Sequence, residues 1–201
     1  MAERRTMSKR DQNLAQIREK ATEIAERIVL EKGRDALSAR GLAAEIGVSV
    51  GSLYNAVGDL ETLLRTVIAK SAGILSRALE TAVASAPQDK RARLVALGEA
   101  YFDFALTEPQ RWWLLFEYRA HAVPDQKMQD FQARLLEMLI RAGEGDVSSG
   151  RHRQVFLQLW ASVHGLVTLA CRPTIVTVDP VEARTYIGEL VDTGLHVVAE
   201  S

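Results

Sequence analysis

The chain has 201 residues, with 47% hydrophobic residues, 25% charged residues and a formal net charge of −1 at pH 7. These proportions are typical of a soluble globular domain and exclude a disordered, collagen-like or low-complexity chain. Cys171 is the only cysteine, so no intrachain disulfide can form. The sequence shows no secretory signal and no apolar stretch of about 18 uncharged residues. We therefore expect a cytoplasmic protein with no membrane partner, no metal and no cofactor.

The charge is unevenly distributed along the chain. Residues 1–20 hold six Lys and Arg against three Asp and Glu, whereas residues 71–201 hold 13 against 16. An excess of positive charge at one end indicates either a nucleic-acid contact there or a solvated basic tail.

Helical periodicity runs through the chain and predicts about nine helices and no sheet, an all-α protein. The first helix carries an apolar stripe over residues 17–29, and Gly33 ends it. Ser38, Ser49 and Asp59 each precede a helical pattern and are typical N-cap residues. The later patterns predict helices over 90–107, 109–120, 124–142, 150–171 and 180–199, with an extended loop over 174–178.

Residues 42–55 have the chemistry of a helix-turn-helix. Ala43 is small enough for two helices to cross, and Gly47 tolerates the positive φ that a tight turn requires. The second helix presents short or polar side chains that allow a close approach to DNA. An ordinary helical hairpin shows the same pattern, so the motif alone leaves both interpretations open.

Residues 17–64 resemble the N-terminal domain of the tetracycline-repressor (TetR) family of transcriptional regulators. The matching positions, in order, are Ile24 to Ile28, Gly33, Leu42-Ala43, Ile46-Gly47-Val48-Ser49, Gly51-Ser52-Leu53-Tyr54 and Leu63-Leu64. The resemblance implies a basic flexible arm over 1–13, a DNA-binding domain over 14–58, a connecting helix over 59–82 and a ligand-binding and dimerisation domain over 83–201.

The resemblance also implies which residues contact DNA. Ser38 and Tyr54 stand where family members bond a phosphate, and the basic arm enters the minor groove in some members. The implied DNA-binding residues are Arg4, Arg5, Ser38, Arg40, Ser49, Val50, Gly51, Ser52, Tyr54 and Asn55. The chain departs from the family pattern at Ala56-Val57 and at Leu60, where members carry a lysine that contacts phosphate. This departure affects the expected affinity more than the fold.

Trp160, His164 and Gly165 resemble the Trp…His-Gly motif of a TetR-like C-terminal domain, and the first two share a helix face. The resemblance implies an effector cavity on one side of this helix and a second subunit on the other. The candidate ligand-binding residues, for which core packing is the alternative, are Phe102, Trp113, Phe116, Met128, Phe131, Trp160 and His164. The candidate dimer-interface residues are Phe156, Val163, Leu166, Ile187, Leu190, Val191 and Leu195.

The expected function is that of a homodimeric repressor, which a small apolar or amphipathic effector releases from a palindromic double-stranded DNA operator. An enzyme using His164, Cys171 and Glu117 is disfavoured, because no charge activates the thiol and no phosphate-binding or hydrolase motif is present. A helical adaptor that has lost DNA binding is supported only by Leu60.

Overall fold

The structure is a computed structural model and describes residues 8–116, 126–172 and 175–200, apart from the side chain of Lys127. Within these ranges the chain forms nine α-helices and no strand, which confirms the all-α prediction. The helices are α1 (Lys9–Lys32), α2 (Ala39–Ile46), α3 (Val50–Val57), α4 (Leu60–Ser85), α5 (Lys90–Thr107), α6 (Pro109–Phe116), α7 (Gln126–Ala142), α8 (Gly150–Cys171) and α9 (Pro180–Ala199).

The first helix starts earlier than the sequence predicted. Ser8 caps α1, because its Oγ accepts a hydrogen bond from the backbone N–H of Asp11 at 3.1 Å. The prediction of a flexible arm is therefore wrong for residues 9–13, which belong to this helix. Arg4 and Arg5 lie outside the described residues, as do the predicted helical residues 117–120 and 124–125.

The chain divides into two compact units, residues 1–71 and 72–201, which we call unit 1 and unit 2. The boundary falls within α4, so this helix contributes residues to both units.

The core of unit 1 forms where the apolar stripe of α1 packs against α2 and α3. Ala21 and Ala25 of α1 are fully buried, as are Leu42 of α2 and Leu53 of α3. Burial of each leucine contributes about 1.5–3 kcal/mol relative to an exposed side chain. These contacts fix α2 and α3 on α1.

The core of unit 2 brings α5 and α9 close together. Phe102, Phe156 and Ile187 are almost completely buried there. A Cβ atom added to Gly98 of α5 would lie 2.5 Å from the Cγ2 atom of Ile187 on α9. Glycine at position 98 is therefore what allows the backbone of α5 to approach α9 this closely.

One described helix, α8, is long and apolar enough to cross a bilayer by length and composition alone. Residues 154–171 contain no Asp, Glu, Lys or Arg, so the expectation that no such stretch exists is wrong. Phe156, Val163 and Val167 of this helix are buried in the core of unit 2.

Candidate nucleic-acid interface and effector cavity

The corner between α2 and α3 has the geometry of a helix-turn-helix. Gly47 has φ 81° and ψ 36°, the left-handed conformation that side chains disfavour. The backbone N–H groups of Gly47 and Val48 both donate to the carbonyl oxygen of Ala43, at 3.0 and 2.9 Å. Ala43 is 2% exposed, which agrees with its predicted place at the helix crossing.

Both helices of the motif begin at serine caps. The Oγ of Ser38 accepts from the backbone N–H of Gly41 at 3.2 Å, and the Oγ of Ser49 accepts from that of Ser52 at 3.1 Å. A single cap satisfies one of the four N–H groups that a helix start leaves without an intrahelical partner. The remaining N–H groups are suited to an anion such as a DNA phosphate.

The two faces of α3 differ in exposure. Leu53, Ala56 and Val57 are buried in unit 1. On the opposite face, Tyr54 is 42% exposed and Asn55 is exposed. Of the other predicted DNA-binding residues in the described chain, Ser38, Arg40, Ser49 and Gly51 are exposed, and Val50 and Ser52 are half-buried. Their contact with DNA stays a prediction.

The start of α1 adds polar groups to this surface. Arg10 and Asn13 of α1 line a depression of about 350 Å³ together with Ser49, Ser52 and Asn55. Sequence reasoning missed Asn13, because it assigned residues 1–13 to a flexible arm. The i, i+3, i+4, i+7 spacing of Arg10, Asn13, Leu14 and Ile17 places these four residues on one helix face and was the signal for this extension.

The residues that depart from the family pattern have structural roles here. Ala56 and Val57 are buried, and Leu60 is the half-buried first residue of α4. Asp59 precedes that helix, and its Oδ1 accepts from the backbone N–H of Thr62 at 2.6 Å. This hydrogen bond lowers the pKa of Asp59, because it favours the ionised carboxylate. Asp59 therefore caps α4, as predicted.

Unit 2 contains a cavity of about 550 Å³, within the range of small-molecule binding sites. Its walls come from five helices in addition to the unit 2 part of α4. Four of the candidate ligand-binding residues line it: Phe116, Met128, Phe131 and Trp160.

The structure does not bring the other three ligand candidates to the cavity wall, so the expectation is corrected for Phe102, Trp113 and His164. Phe102 is fully buried, and the guanidinium carbon of Arg184 lies 5.3 Å from its ring centre. The guanidinium carbon of Arg172 lies 4.9 Å from the ring centre of Trp113. Both rings are therefore occupied by cationic neighbours within the chain.

His164 belongs to an aromatic cluster behind the cavity. Its ring stacks between Trp112 and Trp160, with centroid distances of 5.2 and 5.1 Å. Its Nδ1 and the hydroxyl of Tyr101 are 2.7 Å apart and form a hydrogen bond. Burial raises the pKa of Tyr101, so its hydroxyl stays protonated. His164 thus positions Tyr101 and Trp160, both of which line the cavity.

Cys171 has the environment of an unreactive thiol. Burial raises its pKa, because the thiolate is poorly solvated. The chemistry of this residue therefore does not favour the nucleophilic role considered for it above.

Four of the dimer candidates lie in the core of unit 2 itself. Phe156, Val163, Ile187 and Val191 are 7% exposed or less, so they leave no surface for a second subunit, and the expectation is wrong for them. The other three, Leu166, Leu190 and Leu195, are half-buried. Apolar or small residues that the chain leaves exposed on the same two helices are Leu157, Ala161, Gly165, Val181 and Tyr186.

Comparison with known proteins agrees with this architecture. Residues 94–192 match the family described as "Tetracyclin repressor-like, C-terminal domain". The chain is 29% identical over 127 residues to HTH-type transcriptional regulators of Mycobacterium bovis and Mycobacterium tuberculosis. That alignment covers 60% of this chain and 53% of theirs, so the chain spans about half the length of the curated relatives it matches.

Two solved structures share the fold over most of its length. A protein of unknown function from Rhodococcus sp. RHA1 has a TM-score of 0.73 and 25% identity, covering 98% of this chain and 100% of that one. A TetR-family transcriptional regulator from Streptomyces coelicolor has a TM-score of 0.63 and 21% identity, covering 90% and 99%.

In its helix-turn-helix and its matched C-terminal domain, the chain is similar to DNA-binding transcriptional regulators. Within that class, the chain resembles TetR-like regulators over its matched C-terminal domain.

Proposed function

We propose that the chain is a cytoplasmic homodimeric repressor, which leaves a palindromic operator when a small effector binds in unit 2. One observation carries this proposal. The exposed face of α3 bears Tyr54 and Asn55, while its opposite face is anchored in the core of unit 1.

On the DNA side, α3 is the recognition helix in the major groove. Ser52 and Asn55 supply hydrogen-bonding groups for base edges, and the Tyr54 hydroxyl bonds a phosphate. Arg10 and Asn13 lie beside these groups and extend the contact to the adjacent backbone. Cationic side chains at this surface make the affinity fall as salt rises, because binding releases counterions.

On the dimer side, α8 and α9 pair with the same helices of a second copy across a two-fold axis. Ala161 and Gly165, one turn apart, are exposed on one face of α8. A Cβ atom added at Gly165 would meet nothing within 4 Å, so this position has room for a partner helix. Two-fold symmetry matches an inverted repeat, and two recognition helices in successive major grooves lie about 34–36 Å apart.

The effector acts through the cavity of unit 2. A ligand shifts the dimer away from its DNA-binding form only by as much as it prefers the other form. The residues of α4 belong to both units, so this helix is the covalent link through which the preference reaches unit 1.

A selection from random-sequence duplexes tests the proposal. The wild-type chain is expected to enrich an inverted repeat and to sediment as a dimer when free and when bound. Tyr54→Phe is expected to weaken binding to the enriched duplex by about 3- to 10-fold, the effect of one lost hydrogen bond. Thr107→Val is the control, because it also removes one hydroxyl and Thr107 is exposed on α5 of unit 2.

Three results would overturn the proposal. They are no enrichment at low salt, a monomer at micromolar concentration, and equal losses for Tyr54→Phe and Thr107→Val.

A further inference from the structure

We propose that the cavity of unit 2 binds an amphipathic anion, an apolar chain that ends in a carboxylate, with Arg153 holding the acid group. This inference rests on the proposed function, since it names the chemical class of the effector. It depends on what lines the cavity and on the partners that Arg153 lacks.

Apart from the Tyr101 hydroxyl, which bonds His164, the buried part of the cavity wall is apolar. Leu94 and Leu97 of α5, Phe131 of α7, and Leu159 and Val163 of α8 line the cavity and are each 7% exposed or less. Such a wall favours an aliphatic or aromatic chain, because each buried CH₂ group contributes about 0.8 kcal/mol.

Arg153 breaks this apolar pattern. It is half-buried in the first turn of α8, and it is the only charged side chain that lines the cavity within the described part of the chain. Its guanidinium makes no hydrogen bond or ion pair with another described residue.

Three other arginines of unit 2 are paired with carboxylates of the chain. Arg91 bonds Asp192 at 2.5 Å, and Arg93 bonds Glu144 at 2.7 Å. Arg184 bonds Asp103 at 2.5 Å. Arg153 differs from these in facing the cavity instead of a carboxylate of the chain. A half-buried cation without a partner is unfavourable, and a ligand carboxylate would supply the missing bidentate partner.

The other polar side chains of the cavity wall favour a ligand whose carboxylate lies near the solvent-exposed end of the cavity. Gln129 and Gln132 of α7 line the cavity and are exposed, whereas the five apolar wall residues named above are buried. A ligand with its carboxylate at Arg153 and its chain toward Phe131 therefore matches the polarity of both regions. No Asp or Glu among the described residues lines the cavity, so a cationic ligand would meet only like charge there.

Binding of matched probes tests this inference. Octanoate, dodecanoate and hexadecanoate are titrated against the alcohols of the same chain length and against dodecyltrimethylammonium, with calorimetry and intrinsic tryptophan fluorescence as readouts. At least one carboxylate is expected to bind about 10- to 100-fold more tightly than its alcohol, the range for one charge-assisted pair.

Substitution of the arginine is expected to remove that difference. Arg153→Gln should bring the affinity for the carboxylate down to that for the alcohol and leave the affinity for the alcohol unchanged. Arg153→Lys should restore part of the preference. Arg151→Gln is the matched control, because Arg151 is exposed on the same helix, does not line the cavity and carries the same charge.

The inference is overturned if no carboxylate binds, if alcohols or the ammonium probe bind as tightly, or if Arg151→Gln has the effect of Arg153→Gln. Release of the enriched duplex is measured separately. A carboxylate that binds through Arg153 without releasing DNA supports this inference and contradicts effector release. If the alcohol releases the duplex and the carboxylate does not, the effector is not an anion, but the proposal that an effector releases DNA is supported.

Discussion

Unit 1 and unit 2 differ in how far apart in sequence the residues of their proposed binding sites lie. In unit 1, the caps, the left-handed glycine and the exposed face of α3 all lie within residues 38–58. In unit 2, the cavity takes its wall from helices that are far apart in sequence, from Leu79 to Val191. A local motif specifies the proposed DNA-binding surface, whereas packing of the whole unit creates the cavity.

The substitution with the largest expected effect tests whether the two units unfold independently. Leu53 is fully buried in unit 1, so Leu53→Ala is expected to cost about 2–5 kcal/mol there. The three tryptophans, Trp112, Trp113 and Trp160, all lie in unit 2, so their fluorescence reports that unit alone. We expect urea unfolding followed by helical circular dichroism to shift, and unfolding followed by tryptophan fluorescence to stay in place.

The neighbouring residue provides the control for that change. Tyr54→Ala removes an exposed side chain of the same helix and should change stability by no more than about 0.5 kcal/mol. If Leu53→Ala shifts both unfolding signals equally, the two units form one cooperative core and the comparison fails.

Two glycine substitutions with smaller expected effects distinguish the role of the turn from that of the DNA-binding surface. Gly47→Ala places a side chain at φ 81° and is expected to destabilise unit 1 by about 1–2 kcal/mol. Gly51→Ala lies within α3 and is expected to stabilise it by about 0.5–1 kcal/mol, while its methyl group weakens DNA binding. Circular dichroism and fluorescence anisotropy with the enriched duplex measure the two properties. Equal effects of both changes on stability would contradict the assigned turn.

The smallest effect concerns acid stability. The pKa of Asp59 is lowered in the folded chain by the hydrogen bond from Thr62, so the unfolded state takes up the proton more readily. The stabilisation is therefore present above about pH 4, the unfolded value, and is lost as the pH falls toward the lower folded value. Asp59→Asn keeps an N-cap and removes the titration. Urea unfolding of both chains from neutral to acid pH should show the wild type losing more stability, and parallel curves would refute this role.

The sequence predicted the local features of unit 1 better than the packing of unit 2. Ser38, Gly47, Ser49 and Asp59 were predictable, because caps and tight turns select residue types by local hydrogen bonding and by φ. The start of α1 at Lys9 was missed, because a polar first turn resembles a charged tail.

The incorrect predictions for residues of unit 2 have one physical cause. Apolar residues recur on several sides of α8 and α9, and periodicity alone does not distinguish the side that meets the core from the side left outside. Ile187 was assigned to a subunit interface and is fully buried in the chain itself. Arg153 was missed as a cavity residue, because its position depends on how α7 and α8 pack against each other.

The central claim is that α3 reads DNA, and selection with Asn55→Ala tests it most directly. Asn55 is exposed, so its loss should leave the fold unchanged by circular dichroism. We expect the variant still to enrich an inverted repeat, but with altered base preference at one symmetric position in each half-site. An unchanged consensus with unchanged affinity would contradict the claim.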